Sequence, residues 1–295
     1  MTAQSLLTLH CGALSAGVLP SGGALAFLRS HGPAGATDWL RPAPVNPASP
    51  LQAASFAMVP FFSRIADGPE AGGRRARLAP AGHGFSHAIH GFGWLSLWSV
   101  EECSATAVQL LHDNGGLPAQ LWPWRYRAVQ RLELDADGLH IALSLTNIDE
   151  VPMPAGLGLH PFFPAGGLCL ETTADAMHVM DAAGLPCAAD ARAPALDAFR
   201  KGKPLPCGLD NIFEGWSGRA LLRWPHGRLA LTAAGCDFLC VYSPPDAGFA
   251  CVEPVTHTTN AARFGPVPWG RSGARTLLPG ETMTIAVHFR PLPEA

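Results

Sequence analysis

Between Leu139 and Thr146 the chain alternates strictly: Leu139, Ile141, Leu143 and Leu145 are large and apolar, while His140, Ala142, Ser144 and Thr146 are small or polar. A repeat of two is that of a β-strand with one buried and one open face, and it is incompatible with the 3.6-residue repeat of a helix. Asp135-Ala136-Asp137-Gly138 immediately before it is a turn sequence, which makes Tyr126 to Leu134 the expected hairpin partner. Near the C-terminus the pattern returns, with Met283, Ile285, Val287 and Phe289 on one face and Thr282, Thr284, Ala286 and His288 on the other. Further strands are expected at residues 5–10, 13–18, 23–29, 95–101, 106–112, 219–224, 228–233 and 237–242, separated by Gly, Pro, Asn and Asp. No long stretch sustains an i, i+3, i+4 apolar pattern, and 28 prolines with 32 glycines interrupt most candidate helices. The expected architecture is an all-β antiparallel sandwich. Residues 42–50 and 186–208 read as long surface loops, and with no clear linker the whole span 1–295 reads as one domain.

Composition narrows the functional classes. Hydrophobic residues make up 48% of the chain and charged ones 15%, enough apolar material for a large core and unlike a disordered chain. A formal charge of −3, with Lys201 and Lys203 as the only lysines, provides no basic footprint for nucleic acid. The eight cysteines contain no Cys-x-x-Cys pair, so free thiols in a reducing compartment are expected in place of a disulfide or zinc framework. The first 28 residues contain no Lys or Arg, and no apolar run reaches the roughly 20 residues of a membrane-spanning helix. A cytoplasmic protein without a membrane partner is the expectation; oligomeric state is open.

Five short segments place polar side chains in apolar or turn-rich settings. In Gly158-Leu-His-Pro-Phe-Phe-Pro-Ala165 the prolines at 154, 161 and 164 limit ladder hydrogen bonds, which is expected to present His160 at a sheet edge. An imidazole is the side chain best suited to exchange protons near neutrality. Glu253 stands among Cys251, Val252 and Val255, company that either pairs a carboxylate with a cation or raises its pKa toward the range of a general base. Arg64 follows Phe61 and Phe62 and is expected to hold its guanidinium against packed surface, gripping a hydroxyl or a carboxylate. His90 precedes Gly91-Phe92-Gly93, whose missing side chains would allow close approach of another molecule, with Trp94 as an apolar wall. Asp210 reads as the start of a turn with Asn211. His83, His87 and His90 do not share one face of an extended chain and have no acidic neighbour at ligand spacing, so no metal site is expected there.

Taken in order, Ser63-Arg64-Ile65, His90-Gly91-Phe92-Gly93-Trp94, Gly158-Leu159-His160-Pro161-Phe162-Phe163, Leu209-Asp210-Asn211 and Val252-Glu253-Pro254 resemble the landmarks of the aldose 1-epimerases, or galactose mutarotases, and the related hexose-6-phosphate epimerases. The resemblance implies a large antiparallel β-supersandwich with a sugar site that needs no cofactor or metal. It implies Glu253 as the general base on the C1 hydroxyl and His160 as the general acid on the ring oxygen. His90 would help hold that oxygen, and Arg64 and Asp210 would bind hydroxyls of a monosaccharide. Ser63 stands where the family commonly has Asn, and Phe92 where it commonly has a second Gly. Two alternatives follow: a sugar-phosphate epimerase, which would need Arg74, Arg75 or Arg77 beside the site, and a carbohydrate-binding domain of the same fold without turnover.

Overall fold

The computed structural model describes residues 6–33, 35–82, 84–261 and 271–293. The alternating segments become the centre of an antiparallel eight-stranded sheet in the order Ser99–Cys103, Ala107–Asp113, Tyr126–Leu134, Leu139–Asn147, Thr282–Leu292, Gly227–Ala234, Arg219–Trp224 and Cys169–Thr172. Leu134 pairs with Leu139 across the expected turn, where Asp135 Oδ1 accepts from the N–H groups of Asp137 and Gly138 at 2.8 and 3.0 Å. In register, Leu139, Ile141, Leu143 and Leu145 lie opposite Phe289, Val287, Ile285 and Met283, so two apolar faces from distant parts of the sequence add into one buried surface.

A second sheet runs Pro186–Asp190, Ala176–Met180, Asp210–Glu214, Phe238–Tyr242, Phe249–Val255, Gly158–Leu159 and Ala57–Met58, with Phe162–Pro164 also pairing to Phe249–Val255. Four N-terminal strands, Leu7–Cys11, Leu14–Leu19, Ala24–Gly32 and Gly35–Asp38, form a third antiparallel sheet. The molecule is an antiparallel β-supersandwich. Among the described residues no helix is long and apolar enough to cross a membrane, and all eight cysteines are free thiols.

Expected strands coincide with observed ones to within a few residues, with two corrections. Residues 95–101 begin as a 3₁₀ turn, Gly93–Leu95, and the strand starts only at Ser99. The segment 186–208 is not one loop. It holds the strand Pro186–Asp190 and the helix Pro194–Arg200, which starts on a proline and buries Ala195, Leu196 and Phe199. Proline is tolerated in a first helical turn because its missing N–H has no intrahelical partner there.

The second sheet has buried residues on both faces. Along Phe249–Val255, Ala250 and Val252 join the main core, while Cys251 and Val255 join a smaller cluster with Phe56, Phe62, Trp94 and Phe162. Strand alternation therefore decides that Glu253, two residues after Cys251, faces the smaller cluster.

Candidate active site

Three neighbouring strands supply the floor of the site. Their register sets Asp210 opposite Tyr242, Tyr242 opposite Cys251, and Cys240 opposite Glu253. These side chains share the face turned away from Leu239, Val241 and Val252, and Asp210, Cys240, Tyr242 and Glu253 line a cavity of about 350 Å³. Arg64, His90, His160, Asp210 and Glu253 all line it, although they come from five separate segments.

His160 sits where the sheet path breaks. Gly158 pairs with both Met58 and Val255, so the segment lies inside the sheet and not at its edge. Two backbone facts allow this: Gly158 has no side chain to collide with Met58 and Val255, and the His160 N–H donates to Phe56 O at 3.0 Å. The imidazole is held between the rings of Phe56 and Phe162, each centroid 4.6 Å away, and meets the His90 ring edge-on at 5.1 Å. Its Nε2 lies 3.6 Å from Glu253 Oε1.

Ser63 and His90 both adopt left-handed backbone angles, φ 57° and 58°. This curls the two segments toward each other, and the Ser63 N–H donates to His90 Nδ1 at 3.2 Å. The His90 proton therefore resides on Nε2. Gly91 and Gly93 do permit a close approach, but by the chain itself and not by another molecule: a Cβ at Gly91 would stand 2.1 Å from Val59 O, and one at Gly93 2.4 Å from Val59 Cγ1. Trp94 is fully buried and stacks on Phe56 at 5.4 Å. His87 does not line the cavity, and His83 lies outside the described residues.

Arg64 grips a carboxylate, that of Asp210, with Nη2 to Oδ2 at 2.8 Å. Asp210 opens the strand Asp210–Glu214 and is not a turn residue, and its half-buried side chain is open to the cavity. Arg74 and Arg75 pair with Asp149 and Glu70 and do not line the cavity, nor does Arg77.

Electrostatics divides the pair at the centre. Burial, reinforced by the nearby Asp210 charge, holds the Glu253 carboxyl well above its ordinary pKa of 4.5, and contacts with Cys240 and Arg64 offset this only in part. Burial, with a contribution from the Arg41 cation, lowers His160 to about 3. These opposite shifts favour the carboxyl over the imidazole as the holder of a shared proton, so their 3.6 Å contact is not a pair of charges. Glu253 Oε2 and His160 Nδ1 are buried without a hydrogen-bond partner, an arrangement that leaves capacity for a polar ligand. His90 is likewise kept neutral by burial and by the neighbouring His160 and Arg64.

Among the described residues one group of side chains has the spacing to hold a metal ion: His160, Cys251 and Glu253, whose ligand atoms lie within 4.8 Å of one another. Binding there would displace the carboxyl proton and also a Cys251 proton that burial and Glu253 hold tightly.

Sequence reasoning missed Arg41, Phe56, Cys240 and Tyr242. Arg41 carried a readable signal, since it closes Trp39-Leu40 just as Arg64 follows Phe61-Phe62, and a cation ending an apolar run rarely faces only solvent. Cys240 and Phe56 carried none, because only the fold brings Cys240 to the cavity and Phe56 against the His160 ring.

A model of the family described as aldose 1-epimerase matches residues 5–290. YphB of Escherichia coli K12, an uncharacterized protein, is 29% identical over 310 residues, covering 97% of this chain and 99% of its own. A crystal structure of an Escherichia coli K12 protein superposes with TM-score 0.87 at 25% identity, over 98% of this chain and 99% of that one. Galactose 1-epimerase of Lactobacillus acidophilus NCFM superposes with TM-score 0.75 at 21% identity, over 97% and 93% of the two chains.

Proposed function

The chain belongs to the aldose 1-epimerase family, and from that premise we propose that its cavity interconverts the α and β anomers of a monosaccharide by acid-base catalysed ring opening and reclosure. The observation that carries this reading is the approach of His160 Nε2 to Glu253 Oε1, 3.6 Å, on the wall of a cavity large enough for one sugar ring. The C1 hydroxyl and the ring oxygen are bonded to the same carbon, so an acid and a base this close address both at once.

In the opening step the Glu253 carboxylate takes the C1 hydroxyl proton as the C1–O bond becomes a carbonyl. The ring C–O bond breaks, and its electron pair takes a proton from the His160 imidazolium. Rotation about C1–C2 presents the other carbonyl face. Reclosure reverses both transfers, with neutral His160 accepting the hydroxyl proton and the Glu253 carboxyl returning one to the carbonyl oxygen. His90 Nε2–H is a donor suited to the ring oxygen, and the Arg64–Asp210 pair offers donors and acceptors to ring hydroxyls.

The pair holds one proton throughout. The raised pKa of Glu253 and the lowered pKa of His160 favour the proton on the carboxyl, the arrangement that faces the open-chain aldehyde, and capture of the cyclic sugar requires that proton to pass to the imidazole. No cofactor enters the scheme. Arg74, Arg75 and Arg77 do not line the cavity, so none of these three supports the sugar-phosphate alternative.

Polarimetry or saturation-transfer NMR on α-glucose and α-galactose tests the reading. Acceleration by the folded protein is expected, with a loss of about 10²- to 10⁴-fold in Glu253→Gln and in His160→Asn. Near-normal rates in both folded variants, or no acceleration over a broad aldose panel, would sink it; the latter would favour a binding domain without turnover.

A further inference from the structure

One wall of the cavity carries a cation that no carboxylate among the described residues neutralises. The Arg41 guanidinium lies 4.0 Å from the Phe162 ring centroid and 4.7 Å from that of Phe249. Its Nη2 donates to Leu51 O at 2.6 Å and Ala53 O at 2.8 Å, and its backbone N–H donates to Phe162 O at 2.8 Å. These contacts fix the group in place, but all of its hydrogen-bond partners are neutral. Among the described residues it makes no ion pair with a carboxylate, and both of its side-chain hydrogen bonds come from Nη2. The cavity's other arginine, Arg64, is compensated by Asp210. Burial is also the main influence on Arg41, lowering its pKa, as expected for a cation that has lost part of its hydration. A guanidinium that is partly desolvated, rigidly held and unpaired is poised to take an anion.

Its place relative to the acid and base says where on a sugar that anion would be. Arg41 stacks on Phe162, which stacks on His160, while the charges acting on Glu253 are those of Asp210 and Arg64. With the C1 hydroxyl at Glu253 and the ring oxygen at His160, the substituent beyond the ring oxygen, away from C1, is the one on C5.

We propose that Arg41 forms an anion subsite for the C6 group of the sugar and that the preferred substrates are aldoses with a monoanionic group there, a hexuronate being the simplest. This rests on the acid-base reading for its orientation. One cation matches a carboxylate; a phosphate dianion would call for a second, which the cavity lacks outside the Arg64–Asp210 pair. The subsite also couples to the chemistry. Pairing Arg41 with a substrate anion removes its opposition to a charged His160, favouring the proton arrangement from which the ring opens.

The test measures dissociation constants, from tryptophan fluorescence, for galacturonate and glucuronate against galactose, glucose and glucose 6-phosphate, with anomer interconversion followed on the same samples. The uronates are expected to bind about 10- to 100-fold tighter than the matched neutral sugars at low salt. High salt should erode that preference. It should collapse toward unity in Arg41→Met and survive in part in Arg41→Lys. Should the Met variant fail to fold, the Lys variant and the salt series still decide the matter. Equal binding of charged and neutral sugars, or a preference that persists in Arg41→Met, overturns the proposal, as does binding of glucose 6-phosphate at least as tight as glucuronate. Turnover of neutral sugars without a uronate preference overturns the subsite and leaves the acid-base reading intact. A uronate preference that depends on Arg41, without turnover of any aldose, does the reverse.

Discussion

The most consequential single residues are Glu253 and His160, because the fold pushes their pKa values in opposite directions. A catalytic pair that works with one shared proton loses activity when it gains a second or loses the first. The second proton goes to His160, whose pKa is lowered to about 3 by burial. The acid limb of anomer interconversion is therefore expected at about pH 3, far below the ordinary imidazole value of 6.5. A rate profile whose acid midpoint sits near 6.5 would show that His160 is not titrating as the cavity dictates. The alkaline limb follows Glu253, and Cys240 is one of the contacts that hold this group's pKa down. Cys240→Val should move the alkaline limb upward, in the same set of rate measurements. That one histidine and one glutamate deserved attention was readable from their neighbours in sequence. Which way their pKa values move was not settled there, since it follows from burial against rings such as Phe56 and Phe162 and from the nearby Asp210 charge, which strand register and chain crossings deliver.

At the scale of elements, a tight crossing sets the cavity's upper rim. Val59 O accepts from the N–H groups of Phe92 and Gly93 at 2.8 and 3.1 Å, and the left-handed turn at His90 and Gly91 brings the imidazole over the floor. Gly91 has φ 69°, and an added Cβ would lie 2.1 Å from Val59 O and 2.4 Å from its carbonyl carbon, all backbone that cannot step aside. Gly91→Ala is expected to cost about 2–4 kcal/mol, through the strained backbone angle and the clash together. Thermal melting measures that loss, and a rise in KM larger than the fall in kcat would show that the turn positions His90 against bound sugar. A neutral substitution would mean the crossing is looser than these distances. Glycines at this point were visible in the sequence; that they admit Val59, and not a ligand, required the fold.

For the molecule as a whole, buried neutral histidines set its tolerance of acid. Burial lowers His112 and His257 to about 4 and His160 to about 3, each from 6.5. The unfolded chain binds protons at these positions below pH 6.5 while the native state does not, so their contribution to stability is lost as pH falls from 6.5 toward 4. Glu253 acts with the opposite sign: its raised folded pKa means stability declines as pH rises above 4.5 toward that value. His90, lowered in the same way, joins these three, and together the four histidines outweigh one carboxyl, so stability falls as pH drops below 6, by about 1.4 kcal/mol per pH unit for each histidine in excess. Melting temperature should peak near neutrality and drop steeply between pH 6 and 4, and a flat profile over that range would contradict the buried, neutral state of these rings. In the apolar core the expectation is ordinary: Leu143 is fully buried between the sheet layers, and Leu143→Ala should cost about 2–5 kcal/mol in chemical denaturation.

What the sequence determined by itself was whatever depends on near neighbours. Alternation in Leu139–Asn147 and Thr282–Leu292 defines strands and their buried faces, because side chains of an extended chain point alternately to either side. The five segments holding Arg64, His90, His160, Asp210 and Glu253 stood out by local context and by their resemblance to one family. The helix Pro194–Arg200 did not, because seven residues carry too little periodicity and their burial is decided by what packs on them. Only the tertiary structure decided that those five residues line one cavity, that Arg74, Arg75 and Arg77 do not, and that Arg41 does. The reason is physical: a site in a sandwich is made from register between strands far apart in sequence, and register is set by the summed packing of whole faces, not by any short segment.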